Sequence, residues 1–261
     1  MKMRHVGLFV SLMFLFAWVG SARANSGTQI PLSQMQAGTE QTSPNIVLNG
    51  GFENVTSNVP NNWLPDGNVR VAAPQNPPPS NPSILGNFSA QALTNQPTSS
   101  DPSNYHQTTN GTTRATITFD QTKNYVLSAY IWNYGLADPD PASDLTEGDL
   151  ALVELQDTRS SGGSPAFNLT LERNGKDNGD ASNGYFVYSD PFPGTMFPEG
   201  ATLDVRGDLN ENLSATRPDV YAQFDNVAIT PSNSFAAPSL VPEPGAIAML
   251  ALMLPLARRR R

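Results

Sequence analysis

Among the 261 residues there is no cysteine, there are only two histidines, and just 15% of the residues are charged. Without cysteine the chain has no disulfide, no thiolate nucleophile, no Cys-ligated zinc and no iron–sulfur cluster. His5 lies in a segment read below as removed, which leaves His106. A single histidine cannot build a multi-His metal site within one chain and argues against a Ser-His-Asp triad. His106 stands beside Tyr105 in a Ser/Asn-rich stretch with no partner in view, and is expected to be exposed. Long apolar runs are missing too: Val6–Gly20, broken by Ser11, and Gly245–Ala257 have 15 and 13 residues, against about 20 for a spanning helix. In plentiful supply are turn formers, with 23 Pro and 20 Gly, and core formers, with 12 Phe, 7 Tyr and 3 Trp. The length suits one domain with flanks.

The two ends read as addresses. Lys2, Arg4 and His5 precede the first apolar run, and Ala22-Arg23-Ala24 follows it as a small-x-small cleavage pattern, so residues 1–24 are expected to be a secretory signal peptide. At the other end Val241-Pro242-Glu243-Pro244 leads into Gly245–Ala257, and Arg258, Arg259, Arg260 and Arg261 follow. An apolar segment backed by arginines is held on the cytoplasmic side. As a short helix it covers about 20 Å of a roughly 30 Å hydrocarbon core, and Pro255 weakens it further, so membrane contact is expected to be transient.

Pro242-Glu243-Pro244, an apolar segment and the cluster Arg258–Arg261, in that order, resemble the PEP-CTERM sorting signal of Gram-negative bacteria. The resemblance implies residues 241–261 as a sorting tail cut near Pro-Glu-Pro by exosortase-type machinery. It also implies export to the cell surface or the extracellular matrix. Without signal and tail the chain keeps 8 basic and 22 acidic residues, a net charge of −14. A surface this acidic repels nucleic acid and anionic polymers and suits neutral polysaccharide or divalent cations better.

Between the ends, residues 25–44 are polar and aperiodic and read as a flexible leader, and 232–240 as a Ser/Ala/Pro linker. In 45–231, short alternating or β-branched runs separated by turn residues predict strands at Ile46–Phe52, Val69–Ala72, Ile84–Leu93, Arg114–Asp120, Tyr125–Tyr134, Leu150–Gln156, Ala166–Glu172, Tyr185–Ser189, Ala201–Arg206 and Val220–Thr230. No segment between them has a helical period. The expectation is all-β, a jelly-roll β-sandwich flanked by flexible segments, with a signal peptide before it and a short hydrophobic helix at the C-terminus.

Three segments resemble carbohydrate-binding modules of the family 4/9 type. Leu48-Asn49-Gly50-Gly51-Phe52-Glu53 with Trp63 resembles their opening, Asn124–Tyr130 their central strand, and Phe224-Asp225-Asn226-Val227 their closing strand, with Asn226 in place of a second Asp. The resemblance implies a galactose-binding-like jelly roll in which a structural Ca²⁺ sits at a corner, with Glu53 and Asp225 as its side-chain ligands. On the residues alone, pairing of first and last strands would bring these two carboxylates together, and they would repel unless a cation or proton lay between them. A metal-free Glu53 capping turn amides is an equal alternative. Phe52 is expected in the core, and Trp63 to pack.

Alternation along Tyr125–Tyr134 puts Leu127, Ala129 and Ile131 on one face and Ser128, Tyr130, Trp132 and Tyr134 on the other. The second face is either a platform on which Tyr130, Trp132 and Tyr134 stack against sugar rings, or a second buried layer. The acids Asp138–Asp149, Asp177–Asp180 and Asp208–Asn212 lack the spacing of a calcium loop and read as solvated loops. No catalytic residue is singled out. The function expected is an exported, non-catalytic surface or matrix protein that binds carbohydrate. A structural matrix role without sugar affinity is the alternative, and a β-sandwich glycoside hydrolase or polysaccharide lyase a more distant one.

Overall fold

The computed structural model describes residues 23–24, 27–35, 44–67, 69–72, 89–93, 103–109, 112–134, 150–161, 164–165, 167–174, 184–208 and 221–240. These fold as a β-sandwich of jelly-roll type, with no α-helix among the described residues. The strands are β1 (Arg23–Ala24), β2 (Thr28–Pro31), β3 (Val55–Thr56), β4 (Val59–Pro60), β5 (Trp63–Asp66), β6 (Val69–Ala72), β7 (Ser89–Leu93), β8 (Ser103–Gln107), β9 (Asn124–Tyr134), β10 (Leu150–Asp157), β11 (Ser160–Ser161), β12 (Ser164–Pro165), β13 (Asn168–Asn174), β14 (Tyr185–Tyr188), β15 (Phe192–Pro193), β16 (Ala201–Asp208) and β17 (Tyr221–Pro231). One sheet has the order β1-β13-β10-β16-β8-β5; the other runs β2-β14-β9-β17-β7-β6, with β15 also on β9. All pairs are antiparallel except β1 with β13. From β7 to β10 the chain changes sheet at every step, and again between β13, β14, β16 and β17.

Alternation along the strands builds the core between the sheets. Leu127, Ala129 and Ile131 of β9 meet Ala151, Val153 and Leu155 of β10, Leu169 and Leu171 of β13, and Leu203 and Val205 of β16. Each fully buried Leu, Ile or Phe contributes about 1.5–3 kcal/mol of hydrophobic stabilisation. Phe119, Tyr125, Phe192 and Phe197 close one end in edge-on and stacked contacts of 5.2–5.9 Å between ring centroids.

Four expectations are corrected by the backbone. Ile46–Phe52 is not a strand: it is a series of turns, with Asn49 and Phe52 at φ 51° and 58°. It nevertheless runs beside β17, where Ile46 N donates to Ile229 O and Val227 N to Gly50 O. The approach is so close that a Cβ on Gly50 would fall 1.9 Å from Val227 O, which only glycine permits. Arg114–Asp120 makes only the isolated bridges Thr108↔Arg114 and Ile117↔Ala201.

Residues 28–35, read as leader, are part of the fold. β2 pairs with β14, and a 3₁₀ turn at Leu32–Gln34 buries Leu32 and Met35. Ile30, Leu32 and Met35 supply apolar contacts in an otherwise polar stretch. The expected linker is folded too: Phe235 packs on Phe186 and Tyr188, and Leu240 bridges to Met35. The rest of the expected signal peptide, the sorting tail from Val241, and the acidic clusters at 138–149 and 177–180 lie outside the described residues. No helix among the described residues is long and apolar enough to cross a membrane.

Candidate functional site

The outer face of the six-stranded sheet carries an in-register row across five strands. Leu64 of β5 stands opposite His106 of β8, His106 opposite Asp204 of β16, Asp204 opposite Glu154 of β10, and Glu154 opposite Thr170 of β13. The inward neighbours Trp63, Tyr105, Val205, Val153 and Leu171 belong to the core, so the two-residue period of the strands sets the row outward.

His106 is buried, not exposed, and this corrects the expectation for it. Its Nδ1 lies 2.7 Å from Asp204 Oδ1, and its Nε2 lies 3.6 Å from Oδ2 of the exposed Asp66. Arg114 Nη2 donates to Asp204 Oδ2 at 2.6 Å and lies 2.7 Å from His106 Nδ1. Arg114 arrives there because the chain after β8 folds back: Ala115 N donates to Gln107 O, and Arg114 bridges Thr108. His106 Nδ1 serves one of its two contacts at a time: with a proton it donates to Asp204, and without one it accepts from Arg114. One strand further, Arg206 Nη1 pairs with Glu154 Oε2 at 3.2 Å, and Gln156 Nε2 and Asn168 Nδ2 reach the same carboxylate at 3.5 Å. The row thus holds two guanidinium–carboxylate pairs, an imidazole and amides in fixed geometry: His106, Asp204 and Glu154 are buried, Arg206 half-buried, and Arg114 exposed above them.

The aromatic stripe on the opposite sheet fares differently. Tyr130, expected to contact sugar, is completely buried under Leu32 and Met35 and packs on Phe186 at 5.0 Å. The leader that was expected to be flexible covers it. Trp132 and Tyr134 lie further along β9, paired in register with Gln223 and Tyr221, and their side chains are outside the described residues.

At the corner expected to hold calcium, Asp225 is fully buried at the end of a register shift in β17, and its Oδ1 accepts the N–H of Asn226. Asn226 takes φ 44° in this bulge, a conformation that Asn tolerates better than most residues. Glu53 is half-buried beyond Phe52. Among the described residues no three His, Asp or Glu side chains gather into a metal cluster. A calcium here would draw most of its six to eight oxygens from backbone carbonyls.

The Asn-Gly-Gly-Phe-Glu…Trp segment is a structural knot. Asn49 Nδ2 donates to Asn54 O and Asn61 O, and its Oδ1 accepts from Asn54 N. Phe52 packs on Trp63 with ring centroids 4.9 Å apart and planes tilted by 33°, and both are buried. Gln107 faces inward and ties this segment to β8, donating to Leu48 O and Asn62 O.

No protein-family model and no curated protein matches the chain. Solved structures with some likeness include the N-terminal CBM22-1–CBM22-2 tandem of Paenibacillus barcinonensis Xyn10C. It is 14% identical with a TM-score of 0.37, over 80% of this chain and 48% of that one. This chain therefore spans about half the length of that tandem. The Stig cyclase Fisc from Fischerella sp. TAU, in complex with (3Z)-3-(1-methyl-2-pyrrolidinylidene)-3H-indole, is 15% identical with a TM-score of 0.36, over 70% and 94% of the two chains. A further cyclase from Fischerella sp. TAU is 13% identical with a TM-score of 0.34, over 77% and 96%. Likeness at this level assigns no function to the chain.

Proposed function

We propose that this is an exported, non-catalytic protein of a Gram-negative cell surface or extracellular matrix that binds neutral polysaccharide, and that exosortase-type machinery sorts it through the tail from Pro242 to Arg261. The observation that carries the binding reading is the row His106–Asp204–Glu154 with Arg114 and Arg206. Arg114, Arg206 and Asp66 reach solvent over the buried His106, Asp204 and Glu154 that fix them, and planar donors beside an acceptor match vicinal sugar hydroxyls, which both donate and accept. The net charge of −14 outside signal and tail turns nucleic acid away. Both carboxylates of the row are bonded to guanidinium groups, which suits binding better than the free acid and base of a glycosidase. A structural Ca²⁺ near Glu53 and Asp225 belongs to the same proposal. It predicts a higher Tm with calcium than with chelator.

The test is retention of the exported chain, Asn25–Leu240, on a panel of insoluble and arrayed glycans. His106→Ala and Arg114→Ala are expected to weaken retention about tenfold or more each, the scale of a lost charge-assisted hydrogen bond, with the fold intact. Loss of retention in Trp132→Ala, with the row variants unaffected, would move the binding face to the other sheet. Absence of retention by the folded protein across the panel would leave a structural matrix role.

A further inference from the structure

The described residues end at a particular place. Leu240, exposed, bridges to Met35 on the outer face of the seven-stranded sheet, over the layer of Leu32, Met35, Tyr130 and Phe186. Val241-Pro242-Glu243-Pro244 alone separates it from the apolar segment that starts at Gly245. Five chain steps at no more than ~3.6 Å each reach about 18 Å, and the interfacial zone of a bilayer leaf takes up roughly 5–7 Å of this. While the tail is inserted, the outer face of the seven-stranded sheet is therefore within about one sheet spacing of the membrane surface.

Charge agrees with distance. Gly27–Met35 and Pro231–Leu240, the two segments that cover this face, contain no Asp, Glu, Lys or Arg. The outer face of the six-stranded sheet instead carries Asp66, His106, Arg114, Glu154, Asp204 and Arg206. In a chain this acidic, two segments without charge are the part of the surface that approaches anionic headgroups with least repulsion.

We infer that the precursor, tethered by its tail, sits with the Gly27–Met35/Pro231–Leu240 face against the lipid surface and the His106–Asp204–Glu154 row pointing away from the membrane. This rests on the sorting-tail reading above and deepens it: the binding row is presented outward before the protein is released.

The absence of native cysteine makes the orientation measurable by single-cysteine labelling. Ser234→Cys and Asp66→Cys, both at exposed positions on opposite faces, are placed in the full-length precursor in a bacterial host without the sorting protease. Labelling with a bulky maleimide is compared on membranes and after detergent solubilisation. Ser234→Cys is expected to react several-fold more slowly on membranes than in detergent, and Asp66→Cys at the same rate in both. A Gly/Ser insertion of about 20 residues after Leu240, with an r.m.s. reach of about 25 Å, is expected to remove the protection of Ser234→Cys. Equal labelling of Ser234→Cys in both conditions, protection of Asp66→Cys instead, or protection that survives the insertion would each overturn the orientation. A precursor with intact tail that fractionates away from membranes would overturn the sorting-tail reading, and the orientation with it.

Discussion

The indole Nε1 of Trp63 donates to the carbonyl oxygen of Asn49 at 3.0 Å, while Asn49 itself sits at φ 51° and holds Asn54 and Asn61 through its side chain. One asparagine thus shapes the turn and one tryptophan fastens it to the core. Asn49→Ala loses three side-chain hydrogen bonds and places an alanine in left-handed backbone. Urea unfolding should show a loss of about 2–3 kcal/mol. Asn49→Gly should recover about 1 kcal/mol of that, because only the conformational cost is relieved.

Gly50→Ala tests the packing of the same segment on β17. Its Cβ would fall inside Val227 O, so the backbone has to separate. The expected loss is about 2–4 kcal/mol in chemical denaturation. An unchanged midpoint would mean that the segment is not docked beside the closing strand.

Tyr130→Ala should act on stability and not on glycan retention. A fully buried aromatic ring beneath Leu32, Met35 and Phe186 costs about 3–5 kcal/mol when truncated. Retention measured below the lowered Tm should stay at the wild-type level. Selective loss of retention in a variant of full stability would place Tyr130 in a binding site.

Acid should expose the turn after β10. Burial pushes the Asp157 carboxyl up, but hydrogen bonds from the Arg159 side chain and backbone, with its charge, outweigh that and hold it below the usual carboxylate range. A carboxyl depressed in the folded state stabilises the protein above its unfolded pKa, near 3.9, and the contribution fades as pH falls through the folded value. Asp157→Asn should therefore be less stable than wild type at neutral pH. The gap in urea midpoints should narrow as pH drops below about 4.

The strands most legible in the sequence are those with one apolar face inside a sheet. β9, β10, β14, β16 and β17 were expected within a residue or two of their ends, because Leu127, Val153, Val205 and their neighbours alternate. β8 escaped notice: in Ser103–Gln107 the outward residues are polar, and Gln107 faces inward satisfied by Leu48 O and Asn62 O. Ile46–Phe52 misled in the opposite sense, since its apolar residues look like a strand while positive φ at Asn49 and Phe52 makes it turn. The row on the six-stranded sheet could not be read at all. Asp204 lies 98 residues from His106, and only the strand order β10-β16-β8 makes them neighbours. The burial of Tyr130 was hidden for the same reason: its cover comes from residues 32 and 35 of an apparently structureless leader.

β16 and β17, the last strands in chain order among the described residues, are interior to their sheets, between β10 and β8 and between β9 and β7. The six-stranded sheet therefore lacks its link between β10 and β8 until about residue 208 is made, and the seven-stranded sheet its link between β9 and β7 until about residue 231. Completion of each sheet is thus tied to the C-terminal quarter of the chain, and a truncation before Tyr221 would leave β9 and β7 without the strand that joins them.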